Sequence, residues 1–210
     1  MKKCAFVAAL AAALSSASYA DSVRLDFSAD SVLSGSNQIT GNGDGLVASL
    51  LLVDTGQDEV TATLSNLSLL TSSQFFGELK LNLSPFPRGG SASFSAPISD
   101  IKFDQDGINA PGGNRYDVSV DFLTSSAVRL GAGESAVFIL TGSGLDARDF
   151  VASSTKDGPS ALLHVQGVGA NANGSGWVSG AVAPVPEPAT MAALAIGALG
   201  VLRRRKSRTS

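Results

Sequence analysis

The chain has 210 residues, 44% apolar, 16% charged and 6% aromatic, with 23 Gly, 8 Pro, one Cys and one His. Low charge and ample aliphatic residues exclude wholesale disorder, one cysteine excludes a disulfide scaffold, and one histidine excludes a multi-histidine metal site. The net charge of −3 conceals a division: eight Lys/Arg and seventeen Asp/Glu lie between Asp21 and Ala183, a net −9, while the two ends hold the other seven cations. Such an acidic middle argues against nucleic acid, whose phosphates it repels.

The N-terminus reads MKKCAFVAALAAALSSASYA. Lys2 and Lys3 precede an apolar run over residues 5–14, and Ser18 and Ala20 put small residues at −3 and −1 before Asp21. This is the pattern of a secretory signal peptide, residues 1–20, cut after Ala20 by signal peptidase. Cys4 precedes the apolar run, whereas a lipoprotein cysteine follows it, so cleavage leaves a mature chain without cysteine.

From Asp21 the pattern is β throughout. Val23-Arg24-Leu25-Asp26-Phe27 alternates, residues 46–53 form a nearly continuous apolar run suited to a central strand, and Val60-Thr61-Ala62-Thr63-Leu64 alternates with β-branched residues. Residues 76–83, 98–103, 116–122, 136–141 and 162–166 add further strands, and residues 145–151 suit a single helical turn. Gly41-Asn42-Gly43-Asp44-Gly45, residues 85–90 and Pro111-Gly112-Gly113-Asn114 break the chain between them. Residues 167–176 read as a Gly/Asn-rich loop, and the stretch from there to Pro188 as a linker. Eight or more short strands without amphipathic helices predict an all-β fold over residues 21–183, a two-sheet sandwich or jelly roll.

Few residues in this domain suggest chemistry. His164 alternates with apolar neighbours, and no Gly-x-Ser-x-Gly elbow accompanies it, which favours a structural hydrogen-bonding role over a catalytic triad. Asp104-Gln105-Asp106-Gly107 resembles the start of an oxygen-ligand loop, making Asp104 and Asp106 candidate calcium ligands, but it lacks the third acidic position and the distant Glu of an EF-hand. With Asp100 and Asp117 these acids cluster around a Gly/Pro loop, and solvated loop acids and a glycosidase carboxylate pair are the alternatives there. Trp177, the only tryptophan, suits either sugar stacking or packing at the last strand.

The C-terminal segment, residues 184–210, has three parts. Pro186-Glu187-Pro188 is stiff and polar, residues 189–202 carry no charge, and Arg203, Arg204, Arg205 and Lys206 form a basic cluster. Fourteen helical residues reach about 21 Å against a hydrocarbon core of about 30 Å, so the run is a short transmembrane span. The basic cluster fixes its cytoplasmic end. An apolar helix docked on the domain is the competing reading.

Val185-Pro186-Glu187-Pro188, the Ala/Leu/Gly-rich span and Arg203-Arg204-Arg205-Lys206 resemble the PEP-CTERM sorting signal of bacterial surface proteins. The resemblance implies an exosortase, a membrane protease-transpeptidase that removes the tail near Pro186-Glu187-Pro188, in a bacterium with an outer membrane and an exopolysaccharide system. Residues 76–85, Leu130-Gly131-Ala132-Gly133-Glu134, His164-Val165-Gln166-Gly167 and Gly176-Trp177 are similar to a β-rich subfamily of such proteins, which brings location and no activity. The expectation is a non-enzymatic protein of the cell surface or exopolysaccharide matrix, inner-membrane tethered before processing and without a cofactor. The alternative is a carbohydrate- or calcium-binding extracellular module.

Overall fold

The computed structural model describes residues 21–35 and 38–184. The expected signal helix and transmembrane helix lie outside the described residues, as do Pro186, Glu187, Pro188, Arg203, Arg204, Arg205 and Lys206. Among the described residues no helix is long and apolar enough to cross a membrane.

Ten strands follow one another: β1 (Ser22–Gly35), β2 (Leu46–Gly56), β3 (Glu59–Asn66), β4 (Phe75–Leu81), β5 (Arg88–Phe94), β6 (Ile98–Asn109), β7 (Arg115–Phe122), β8 (Ser135–Ser143), β9 (Ala161–Val168) and β10 (Gly174–Ala183). They form one antiparallel sheet in the order β5-β8-β3-β2-β1-β10-β9-β4-β7-β6. The all-β class is as expected, but the ladder is continuous rather than divided between two sheets. The reason is β10. Its Gly- and Ala-rich composition reads as loop and linker, yet it pairs with β1 on one side and β9 on the other, joining two halves that would otherwise stand apart.

Glycine suits β10 because of what it crosses. A Cβ on Gly180 would come within 2.9 Å of the Phe27 ring and 3.1 Å of the Ala161 methyl. The sheet also curls, so that the terminal strands β5 and β6 approach each other. A Cβ on Gly90 of β5 would lie 2.6 Å from the Phe103 ring of β6, so this near-closure needs a bare backbone there.

Curling gives the sheet an inside. Val23, Leu25 and Phe27 of β1, Leu50 and Leu52 of β2, Val60, Ala62 and Leu64 of β3, and Leu163 and Val165 of β9 belong to one buried cluster. Period-two alternation produces this, because successive side chains take opposite faces. Each buried Leu, Val or Phe contributes about 1.5–3 kcal/mol relative to exposure, so this face dominates stability. The expected helical turn is a 3-10 turn, Ala147–Val151, whose Ala147 and Phe150 are buried. Its first turn is held by a reciprocal pair, Arg148 N–H to Asp146 Oδ1 and Asp146 N–H to Asp149 Oδ2. On β9, Leu162 faces away from Leu163 and packs with Ile108 and Tyr116 in a second, smaller cluster, against which Trp177 rests.

Candidate functional site

The central pairing of β1 with β10 sets where the chain enters and leaves the domain. Arg24 stands opposite Ala183 and Leu25 opposite Val182. The first described residue, Asp21, and the last, Pro184, therefore lie at the same end of the sheet.

Three carboxylates meet near that end. Asp21, Asp54 and Asp146 each present an oxygen within 4.8 Å of the others. They come from the start of β1, the end of β2 and the cap of the 3-10 turn, positions no local motif connects. Asp54 Oδ1 accepts the Ala147 N–H at 2.8 Å, and Arg148 Nη2 donates to Asp21 Oδ1 at 2.6 Å. Burial raises the Asp54 pKa above the ordinary carboxylate value; the Ala147 N–H opposes this, while the charges of Asp146 and Asp21 add to it. Burial likewise raises Asp149. The cluster already has partners within the protein, the Arg148 guanidinium on Asp21 and the Ala147 N–H on Asp54.

Asp104 and Asp106 have different partners in the structure. Asp104 Oδ2 pairs with Lys102 Nζ at 3.0 Å in an exposed ion pair, worth little to stability. Its carboxyl also covers Gly107, where any side chain would collide with it. Asp106 has φ 48°, in the left-handed region, and its N–H donates to Asp117 Oδ1 at 2.7 Å. The β6–β7 ladder shifts register between Phe103 and Ile108, so Asp104 to Gly107 form a bulge within β6. The partner of Asp106 is thus Asp117. The Asp117 side chain is buried and its other oxygen accepts the Leu83 N–H at 2.9 Å. Burial raises its pKa, the Asp106 and Leu83 N–H groups lower it, and the Asp106 charge raises it. Both acids line an open cleft of about 600 Å³ together with Asn82, Phe86, Gln105 and Ser153.

Trp177 lies on the outer face. Its ring stacks on the His164 imidazole, centroids 4.7 Å apart and planes 12° apart, so one face of the indole is occupied by protein. Lys80 Nζ sits 5.3 Å from the Trp177 ring centroid, ion-pairs with Glu78 at 2.8 Å and donates to the Asn109 carbonyl at 2.6 Å. The Lys80 side chain is only 7% exposed, so this is a desolvated cation held by three partners. His164 has its pKa lowered by burial and then by Lys80, and its Nδ1 lies 3.4 Å from Gln166 Nε2. Burial, then Glu78 and Asp100, raise Asp121 across from Glu78, and Lys80 offsets part of this. The outer-face arrangement is a packed polar network. Its Lys80 and Glu78 carried no signal in the sequence beyond strand alternation.

Residues 184–206 match the PEP-CTERM protein-sorting motif. The motif marks an exosortase substrate and implies export with membrane-anchored sorting before cleavage. No curated protein and no solved structure was found to match the chain.

Proposed function

We propose that this protein is a non-enzymatic component of the cell surface or exopolysaccharide matrix, delivered there by exosortase processing of its C-terminal tail. In this reading signal peptidase frees Asp21, the span over residues 189–202 holds the precursor in the inner membrane, and Arg203, Arg204, Arg205 and Lys206 keep that end cytoplasmic. The exosortase acts near Pro186-Glu187-Pro188. The observation that carries the reading is the placement of the sorting motif, which begins at Pro184, one residue after β10 ends. A tail that starts where the folded ladder stops can be removed without disturbing a hydrogen-bonded strand.

The absence of catalysis in this proposal is supported by what surrounds the single histidine. Its ring is stacked on Trp177 and neighboured by Gln166 and Lys80, an environment that favours the neutral, packed imidazole. Mass spectrometry of the protein isolated from its native cells tests the processing. A product beginning at Asp21 and ending near Pro186 is expected; an intact 210-residue chain would overturn the reading.

A further inference from the structure

We propose that the cleft between Asn82, Asp106 and Asp117 binds a calcium ion. This inference is independent of the sorting reading, since it concerns only the folded domain. Two carboxylates meet at the cleft, linked by the Asp106 N–H to Asp117 bond, with no cation paired to either carboxylate among the described contacts. Arg115 reaches the same turn, but its Nη1 donates to the Asp106 backbone carbonyl at 3.3 Å.

Asn82 supplies the independent observation. It lines the cleft, is 6% exposed, and its Oδ1 has no hydrogen-bond partner. The orientation of its amide is fixed by chemistry: Nδ2 donates at 2.7 Å to the Ser153 carbonyl, which can only accept. The oxygen is therefore the unsatisfied end, and a buried acceptor without a donor costs about 1–3 kcal/mol. A cation in the cleft satisfies this oxygen while offsetting the repulsion between Asp106 and Asp117.

The donor set selects the ion. Carboxylate and amide oxygens favour hard cations, and an open cleft lets water complete a coordination shell of about six to eight. Magnesium demands a tighter octahedron of ligands, which an irregular turn does not impose. The left-handed Asp106 and the lost register of β6 hold the turn over the buried Asp117. Calcium at a solvent-open site of this kind binds with Kd of about 0.1–1 mM, the range of extracellular modules.

The test is calorimetric titration of the full chain in detergent with calcium chloride, for the unaltered protein and for Asp106→Asn and Asp54→Asn. Asp106 is exposed, and its N–H remains available to Asp117 after the change. Calcium binding that Asp106→Asn weakens at least about tenfold, and Asp54→Asn leaves unchanged, is expected. No binding at about 10 mM calcium overturns the proposal, as does binding lost in Asp54→Asn and kept in Asp106→Asn. Amide exchange of the unaltered protein gives a reading that needs no variant. Calcium should slow exchange at Leu83 and Asp106; protection confined to Asp54 and Ala147 would contradict the site.

Discussion

Arg24 and Ala183 face each other across the β1–β10 ladder, so the two ends of the folded domain are neighbours in the middle of its sheet. Removal of residues 185–210 should leave the unfolding free energy within about 0.5 kcal/mol, because no described strand is shortened. Removal from Gly174 onward takes away one of the two neighbours of both β1 and β9, splitting the ladder between them, and strips the buried Val178 from the core. Urea denaturation followed by circular dichroism should show a cooperative transition in the first truncation and none in the second. Equal stability of the two would contradict the central place of β10.

Gly167 and Gly45 separate two costs of a side chain. Both have positive φ, +70° and +76°, but a Cβ at Gly167 would collide with the Ser73 carbonyl, whereas one at Gly45 meets open space. Gly45→Ala should cost about 1 kcal/mol from backbone conformation alone. Gly167→Ala should cost about 3 kcal/mol, because the collision is with backbone and cannot be relieved by a rotamer change. Matched denaturation midpoints for the two variants would refute the collision argument.

Acidification acts in two directions. Asp54, Asp117, Asp121 and Asp149 have pKa values raised from 3.8, so the folded chain binds their protons before the unfolded chain does. Stability from these groups rises as pH falls through the folded values toward 3.8. His164 is lowered from 6.5, so the unfolded chain takes that proton first and stability is lost as pH falls below 6.5. Replacement by His164→Gln should leave only the rising contribution between about pH 7 and pH 4.5. Denaturation midpoints that still fall on acidification in this variant would show that another group governs the decline.

Asp54 should repel its neighbours at neutral pH. Asp54→Asn keeps an oxygen for the Ala147 N–H and removes a charge from beside Asp21 and Asp146. A gain of no more than about 1 kcal/mol is expected, since the cluster is partly solvated. The gain should shrink in about 1 M salt, where charges are screened over a few ångströms. A loss of stability in the variant would mean that the carboxylate makes a contact the amide cannot replace.

The strands with one apolar face were readable in advance. Val23, Leu25 and Phe27 alternate in the sequence and are buried together, and Val60, Ala62 and Leu64 do the same. β5 and β10 were not readable, because their segments are rich in Gly, Ser and Ala and carry little apolar periodicity. Those small residues are there for close approach, as Gly90 to Phe103 and Gly180 to Phe27 show. Missing β10 is what turned one sheet into an expected pair. The candidate site was half legible: Asp106 stood out through its acidic, glycine-bearing turn. Asp117 belongs to the same acidic run in the sequence, but that it is the one to accept the Asp106 N–H follows only from the pairing of β6 with β7, and Asn82 carried no signal at all. Residue type leaves Trp177 between packing and stacking; its His164 neighbour follows from register, which composition does not specify.

The fate of the segment beyond Ala183 decides whether the protein is sorted through its tail. An epitope fused after Ser210, followed in native cells with and without their exosortase, measures this directly. Loss of the epitope from the mature domain only when the enzyme is present, with an intact membrane-bound precursor in its absence, is the predicted result. An epitope retained on the exported protein in both strains would contradict sorting through Pro186-Glu187-Pro188.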